Sequence, residues 1–182
     1  MLPRTAPART VDLVNALAED GVSADVVAAV LLAHGESGPI DLTGEQLAEL
    51  RAAALLVREV FAAPSVAEAA ARLNRLLATR TGPLRLTSHD GSTPWHPHLD
   101  SDDEAPWGEW FLASSCLALT VLIWDRQRPP GGVCASGGCG RVFVHAGGGP
   151  VKRYCSRRCA TRVRVAEHRR GRNSGGGRGA GA

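Results

Sequence analysis

The sequence lacks the apolar segments that membrane-spanning and secreted proteins carry. Its longest uncharged apolar run, residues 110–124, has 15 residues, and as a helix it would extend about 22 Å, short of the ~30 Å hydrocarbon core of a bilayer. Near the N-terminus, Arg4 and Arg9 are not followed by the apolar region of a secretory signal. We therefore predict no membrane span and a cytoplasmic, reducing environment for the five cysteines.

Sequence motifs of common catalytic sites are also missing. There is no nucleophile elbow, no phosphate-binding loop and no His-Glu-x-x-His helix. His96 and His98 could form a second metal site or a catalytic pair if they converged with a carboxylate on one pocket. The two prolines and the acidic residues around them favour an ordinary loop. Ser114 and Ser115 have no base nearby in the sequence, and we predict that the protein is not an enzyme.

Acidic residues are nearly absent from the C-terminal part of the chain. Residues 1–130 contain 10 basic and 17 acidic side chains, whereas residues 131–182 contain 11 basic and one acidic. Glycine divides in the same way, with 7 residues before position 131 and 14 from there on. This division predicts an acidic globular part that can form a packed core, followed by a basic, glycine-rich module.

Helical periodicity dominates the first 80 residues. One helix is predicted at 11–18 and another at 23–33. Capping boxes, in which Thr43 is followed by Gln46 and Ser65 by Glu68, begin two further helices. Apolar side chains then recur every three or four residues and should face the core. They are Leu47, Leu50, Ala54, Val57 and Phe61 in the third helix, and Val66, Ala69, Leu73, Leu76 and Leu77 in the fourth.

The middle of the chain predicts a small β element and then a core helix. Residues 84–87 alternate as in a strand, and Asp90-Gly91 suits a tight turn, although prolines weaken the return strand. Pro106 suits the first turn of a helix that runs through residue 124 and is apolar on almost all sides. We expect this helix at the centre of the core. Four of its side chains should be buried: Trp110, Leu117, Val121 and Trp124.

Four of the five cysteines lie between positions 134 and 159. The pair Cys134 and Cys139 is separated by 15 residues from the pair Cys155 and Cys159, which is the arrangement that a single tetrahedral zinc ion requires. A glycine-rich module of this size has little apolar core and needs such an ion for stability. We therefore predict one structural Zn²⁺ bound by all four thiolates, rather than four free thiols.

Around these cysteines the sequence predicts a knuckle, a hairpin and a helix. One strand is expected at 141–145, a turn at 147–149 and the returning strand at 151–154. Cys155 and Cys159 should share one face of the helix that follows. His168 would lie about 13 Å further along this helix, too far to bind the same ion.

Several residues of this module resemble the bacterial CGNR zinc finger. They are Cys139 with Phe143, the segment Lys152-Arg153-Tyr154-Cys155-Ser156, the segment Cys159-Ala160-Thr161-Arg162, and His168-Arg169. The opening Val11-Asp12-Leu13-Val14-Asn15 and the capped helices resemble the ABATE domain that precedes this finger. The resemblance implies a stress-related transcriptional regulator with a DNA-binding finger. Ala160 and Thr161 stand where the signature has Gly and Asn, and His145 stands where an Asp is usual.

Arginine occupies most of the outer surface of the predicted C-terminal helix. Helical geometry places Cys155, Val163 and Ala166 within about 40° of Cys159, facing the zinc. The opposite face, its flank and the preceding segment supply the candidate nucleic-acid contacts: Arg157, Arg158, Thr161, Arg162, Arg164, His168, Arg169, Lys152 and Arg153. Arg162 lies near enough to the ligand face to brace the hairpin or a loop carbonyl instead.

The charge of the module favours duplex nucleic acid as its partner. Four thiolates and one Zn²⁺ lower its net charge from +10 to about +8, so it stays strongly cationic and attracts phosphates. Its only aromatic residues are Phe143 and Tyr154. Stacking on single-stranded RNA is therefore a poorer explanation than binding to duplex phosphates.

The sequence therefore predicts a mainly α protein: a helical body with a small β hairpin, and a C-terminal treble-clef-like zinc finger. The expected divisions are an ABATE-like domain at 8–127, an uncoupling linker at 128–132, the finger at 133–171 and a disordered tail at 172–182. The predicted function is zinc-dependent binding of double-stranded DNA in transcriptional regulation. The body would sense a small effector or form a homodimer. The alternative is a zinc-stabilised adaptor that binds protein and no nucleic acid.

Overall fold

The computed structural model describes residues 6–145, 149 and 151–175, except for the side chains of 171 and 173–175. The described part is mostly helical with two small hairpins, which confirms the predicted fold class. Its elements are α1 (Ala6–Leu17), α2 (Ala24–Ala33), α3 (Gly44–Phe61), α4 (Val66–Thr79), β1 (Arg85–Thr87), β2 (His96–His98), α5 (Trp107–Arg126), β3 (Gly131–Val133), β4 (Val142–Val144) and α6 (Arg157–Gly175).

The predicted capping residues begin the helices of the body. The Thr43 hydroxyl accepts a hydrogen bond from the backbone N–H of Gln46, and the Gln46 side chain accepts one from the backbone N–H of Thr43. At the start of α4, the Ser65 hydroxyl accepts from the backbone N–H of Glu68. These three bonds satisfy N–H groups that the start of a helix leaves unpaired, and the capping box is complete at Thr43, whereas at Ser65 only the bond from Glu68 to the serine hydroxyl forms. The first helix begins earlier than expected, at Ala6 instead of residue 11.

Helix α5 is the centre of the body, packed against α1, α3 and α4. Its buried residues include Phe111, Leu112, Cys116, Leu119 and Leu122, which recur at helical spacing on one side. By length and composition α5 could cross a membrane, but half of its most apolar stretch is buried against the body. That burial is the pattern of a core helix in a soluble protein.

The expectation that four large side chains of α5 are buried is wrong. Trp124 is 76% exposed, and Trp110, Leu117 and Val121 are only half-buried. Leu117, Val121 and Trp124 follow one another at four- and three-residue spacing, so they share a stripe of the helix. The other helices of the body pack against the opposite side of α5. This stripe therefore stays partly exposed, although α5 is apolar on almost all sides.

The first hairpin joins β1 and β2 in antiparallel register, with Arg85 opposite His98 and Thr87 opposite His96. The ordinary loop expected around His96 and His98 is therefore a strand. Pro97 lies in the middle of β2 opposite Leu86. A two-stranded hairpin tolerates this proline because each strand has a free edge toward which the missing N–H can point.

The second hairpin differs from the predicted one. Strand β4 pairs with β3, which lies before the first cysteine, with Gly131 opposite Val144 and Val133 opposite Val142. Residues 151–154 form no strand, and the expected turn at 147–149 lies largely outside the described residues. A Cβ atom on Gly131 would lie 1.9 Å from the Phe143 carbonyl oxygen and 2.8 Å from the Phe61 ring. This close approach to both neighbours requires glycine.

The finger is joined to the body instead of being uncoupled from it by the glycines at 131 and 132. The Asn15 side chain, on α1, accepts a hydrogen bond from the Val142 N–H at 2.8 Å and donates one to the Val142 carbonyl at 3.0 Å. Both residues are buried, and the Val142 side chain belongs to the hydrophobic core of the body. The predicted linker therefore ends in a strand that shares the core of the helical domain.

The C-terminal helix extends beyond the predicted end of the finger at residue 171. Helix α6 continues to Gly175 and so includes the first four residues of the segment expected to be a disordered tail. Residues 176–182 lie outside the described residues. The remaining domain boundaries stay predictions.

We expect Asn15→Ala to destabilise the whole protein. The substitution leaves the buried N–H and C=O of Val142 without partners, which should lower the free energy of unfolding by at least ~2 kcal/mol. Chemical denaturation followed by circular dichroism measures this change. Asn74→Ala, at an exposed position of α4, is the matched control and should change stability by less than ~0.5 kcal/mol. Equal effects of the two variants would contradict the assigned role of Asn15.

Two leucines of α5 should differ in their contribution to stability. Leu119 is 0% exposed, so Leu119→Ala should cost ~2–5 kcal/mol through lost burial and a cavity. Leu117 is only half-buried, and Leu117→Ala should cost clearly less. Urea unfolding of the two variants under identical conditions compares them. A larger loss of unfolding free energy for Leu117→Ala than for Leu119→Ala would contradict the assignment of the Leu119 side of α5 to the core.

Candidate metal centre

The four clustered cysteines come together in the finger, as predicted. Cys134 and Cys139 lie in the knuckle that connects β3 to β4, Cys155 precedes α6, and Cys159 lies in its first turn. The Sγ atoms of Cys139, Cys155 and Cys159 are each 3.7 Å from one another. A tetrahedron with Zn–S bonds of about 2.3 Å has edges of about 3.8 Å. The donor set and its spacing therefore fit one structural Zn²⁺ ion.

Backbone hydrogen bonds shape the knuckle around the first cysteine pair. The Cys134 N–H donates to the Arg141 carbonyl at 2.8 Å, and the Cys139 N–H donates to the Ser136 carbonyl at 3.0 Å. Gly138 and Gly140 have φ values of 72° and 64°, a left-handed conformation that favours glycine. The glycines on either side of Cys139 therefore allow the chain to fold tightly around its sulfur.

The second pair is held at the N-terminus of α6, but not within one helical face as expected. Cys155 lies two residues before the helix and donates its backbone N–H to the Cys134 sulfur at 3.5 Å. The Ser156 hydroxyl accepts a hydrogen bond from the Cys159 N–H at 3.2 Å. Ser156 thus caps the helix whose first turn carries Cys159.

The thiols of the centre differ in acidity when no cation is bound. Burial raises the pKa of the Cys155 thiol to about 12, and the neighbouring thiols act in the same direction. The hydroxyl of Ser156 lowers the pKa of the Cys159 thiol to about 7. Four thiolates this close repel one another, so their joint ionisation depends on a cation that replaces the protons. Metal affinity should therefore fall as the pH is lowered.

Arg162 braces the centre, which is the alternative role that its position on the helix allowed. Its Nε and Nη2 donate to the hydroxyl of Ser136 at 3.1 Å and 2.9 Å, and Nη2 lies 3.8 Å from the Cys159 sulfur. Ser136 is buried in the knuckle. The contact joins α6 to the knuckle and places a positive charge beside a zinc-binding thiolate. It runs to a hydroxyl, however, and not to a loop carbonyl.

The other candidate nucleic-acid contacts are all on the surface. Arg157, Arg158, Thr161, Arg164, His168 and Arg169 are exposed on α6, and Lys152 and Arg153 are exposed in the segment before it. The Arg153 guanidinium lies over the Tyr154 ring at 5.8 Å. Thr161, Arg164, His168 and Arg169 lie on one continuous surface.

His145 is buried at the end of β4, where the related signature has an acidic residue. Its backbone carbonyl accepts a hydrogen bond from Arg126, and its ring contacts the ring of Phe143. Burial lowers the pKa of His145, and the nearby cations Arg128 and Lys152 lower it further. Burial and the neighbouring cations thus both disfavour the charged imidazole at this position in the finger.

A knuckle, a hairpin and a helix around four cysteines define a structural zinc finger. Residues 132–172 match the family model of the CGNR zinc finger, and this range includes all four cysteines and most of α6. Comparison with curated proteins finds no match. The helical body lies outside the matched range, so its resemblance to an ABATE domain stays a prediction.

Three supporting residues escaped the sequence analysis. Ser156 directly follows Cys155, where its hydroxyl can accept from an N–H group of the next turn, so its position was a usable signal. The Ser136 hydroxyl bonds to the side chain of Arg162, 26 residues further along the chain, a partner that local spacing does not indicate. Asn15 lies 127 residues from Val142, and no local pattern connects the two.

Loss of zinc should destabilise the body as well as the finger. Cys155→Ser should abolish the zinc of the cysteine centre and lower the melting temperature of the main unfolding transition, because β3 and β4 share the core of the body. Elemental analysis and calorimetry measure the two effects. Cys116→Ala, which removes the one cysteine outside the cluster, should keep that zinc. A body transition unchanged by Cys155→Ser would show that the two parts unfold independently.

Proposed function

We propose that this protein binds double-stranded DNA through its zinc finger and regulates transcription. In this proposal the helical body senses a small effector or forms a homodimer. The observation that carries the proposal is the exposed, strongly cationic length of α6 beyond the zinc centre. The family match of the finger supports zinc binding, and the cationic surface of α6 supports DNA as the binding partner.

The second half of α6 is exposed on all sides. Among the side chains of this helix that the structure describes, only those of Cys159, Ala160 and Val163 are buried or half-buried, and every described side chain from position 164 to 172 is exposed. These positions hold four arginines and one histidine against a single acidic residue, Glu167. A helix without an apolar face packed on a neighbour is marginally stable, and its like charges repel. Phosphate groups along it would offset both effects.

The dimensions and chemistry of this helix suit a DNA groove. Its 19 residues extend about 28 Å, and a bare α-helix fits the major groove. One exposed surface carries Thr161, Arg164, His168, Arg169 and Arg172. Arginine can bind a phosphate or the edge of guanine through two parallel hydrogen bonds.

The distribution of charge favours contact through the finger alone. Residues 1–130 carry a net charge of −7 and residues 131–182 a net charge of +10 before metal binding. The acidic body repels phosphates while the finger attracts them. Because Asn15 and Phe61 hold the finger hairpin against the body, the orientation of α6 depends on the conformation of the body. A ligand or a second subunit on the body could therefore change DNA binding.

A protein adaptor remains the competing function, and two exposed tryptophans could form the interface that it requires. Trp95 is 72% exposed and Trp124 is 76% exposed, and aromatic side chains are common in protein interfaces. Both tryptophans lie on the body. They are as compatible with a dimer of a DNA-binding protein as with an adaptor, so the behaviour of α6 decides between the two functions.

Removing two arginines from the outer face of α6 should weaken DNA binding. Arg157 and Arg164 are exposed, whereas Arg162 supports the zinc centre and is left intact. For Arg157→Ala/Arg164→Ala, the slope of log affinity against log salt should become shallower by about 2, since each lost phosphate contact removes roughly 0.9 of a released counterion. Fluorescence anisotropy with generic duplex DNA over a salt series measures the slope.

A matched control removes the same charge from the body. Arg75 and Arg80 are exposed on α4 and just after it, so Arg75→Ala/Arg80→Ala should leave the salt slope unchanged. Zinc content and melting temperature should stay at the wild-type values in both double variants. Equal DNA affinity of wild type and Arg157→Ala/Arg164→Ala across the salt series would contradict DNA binding through α6 and favour the adaptor.

A further inference from the structure

Three histidines that the zinc finger does not use converge on the first hairpin of the body. They are His89, just after β1, and His96 and His98, both on β2. Side chains two residues apart on a strand point to the same face, and the register places Arg85 and Thr87 on that face as well. The turn after β1 brings His89 back over it, with left-handed φ values of 47° at His89 and 54° at Asp90.

The three imidazoles approach one another through their Nε2 atoms. The Nε2 atom of His96 lies 3.3 Å from that of His89 and 3.0 Å from that of His98. A tetrahedral ion with metal–nitrogen bonds of 2.0–2.1 Å places its nitrogen ligands about 3.3–3.4 Å apart. These two separations match edges of a zinc coordination tetrahedron to within a few tenths of an ångström, and one ligand nitrogen of each of the three histidines lies within 4.8 Å of the others.

The opposite ring nitrogens all face hydrogen-bond acceptors. The Nδ1 atom of His98 lies 2.8 Å from a carboxylate oxygen of Asp100, that of His89 lies 3.0 Å from Asp103, and that of His96 lies 2.8 Å from the Pro94 carbonyl oxygen. Carboxylates and carbonyls only accept, so each neutral imidazole carries its proton on Nδ1. Three unprotonated Nε2 atoms then point at one another, and their lone pairs need a cation between them.

A second layer of side chains fixes the two carboxylates. Arg85 donates to Asp100 at 2.7 Å and to Asp103 at 2.6 Å, and the Thr87 hydroxyl donates to Asp103 at 2.8 Å. Asp100 is 2% exposed. Carboxylates that orient metal-binding histidines in this way raise the basicity of the imidazole and fix its tautomer. A loop with no ligand has no need for this arrangement.

We propose that His89, His96 and His98 form a second metal site in this protein, which binds Zn²⁺ or a similar divalent transition metal. Neutral imidazole is a preferred ligand of these ions. No fourth histidine, cysteine or carboxylate joins the cluster in the described part of the chain, so the ion keeps an open position for water or a small anion. His96, His98 and Asp100 also line a cavity of about 260 Å³.

This site differs from the cysteine centre in chemistry and does not depend on DNA binding. The cysteine centre is closed by four sulfur ligands and stabilises the finger, whereas the histidine site would bind a more exchangeable ion within the body. The spacing His-x-His on a strand, followed by Asp100 and Asp103, is the sequence signal for the site. Metal binding on the body is thus a property separate from the proposed function of the finger.

Metal counting and a cobalt probe test the proposal on untagged full-length protein. Elemental analysis of protein saturated with Zn²⁺ and freed of excess metal should give two ions per chain for wild type and one for His96→Ala. Protein that holds one equivalent of Zn²⁺ is then titrated with Co²⁺. We expect the visible bands of a tetrahedral cobalt site with nitrogen ligands, without the near-ultraviolet charge-transfer bands of cobalt bound to thiolates.

Two further variants separate metal binding from loss of the fold. Asp103→Asn keeps all three ligands but weakens their orientation, and it should lower Co²⁺ affinity roughly 10–100-fold while circular dichroism and the zinc of the cysteine centre stay unchanged. His168→Ala removes an exposed histidine on α6 and should still bind two ions. The proposal is overturned if wild type takes up no Co²⁺ beyond the cysteine centre, or if His96→Ala binds as many ions as wild type.

Discussion

The paired hydrogen bonds between Asn15 and Val142 are the contact on which the arrangement of the two parts depends. They bind the first helix of the body to the strand that leaves the zinc knuckle. Gly131 lies in β3, the strand that pairs with β4, and its lack of a side chain allows β3 to approach the Phe61 ring closely. The finger hairpin is thereby part of the body's core. Helix α6 begins at the zinc centre and is therefore attached to a hairpin that packs in this core, and not to a free linker.

The zinc centre and the exposed arginines lie on the same helix, α6, instead of in separate regions of the protein. Cys159 binds the ion in the first turn of the helix, and Arg162, three residues further on, bonds to the knuckle through Ser136. The next turn presents Arg164 and His168 to solvent. A single helix therefore carries a zinc ligand, a brace and the surface proposed to bind DNA. Loss of the ion would release all three together, so zinc would be a condition for the proposed DNA binding as well as for folding of the finger.

The two clusters of potential metal ligands differ in a way that follows from their surroundings. The cysteine cluster is contacted by the backbone N–H of Cys155 and by the Arg162 guanidinium, which favour negatively charged sulfur, and its four sulfur ligands leave no open ligand position. The histidine cluster is backed by Asp100 and Asp103, which orient two of the imidazoles through their Nδ1 atoms and make the Nε2 of each a better donor to a cation. The first arrangement suits a permanent structural ion. The second suits an ion that exchanges or binds a further ligand.

Local chemistry was sufficient to predict the features that depend on neighbours in the sequence. The spacing of four cysteines predicted the zinc centre, and Thr43 with Gln46 predicted the start of α3, because short chain segments determine both. The exposure of Trp124, the pairing of β4 with residues 131–133 and the convergence of His89 with His96 could not be predicted in this way. The sequence of a helix that is apolar on all sides does not indicate which side the rest of the body covers. The sequence of a strand does not indicate which distant segment will pair with it. Asn15 and Val142 meet only because α1 packs against both α5 and β4; packing over the whole chain decided what residue spacing could not.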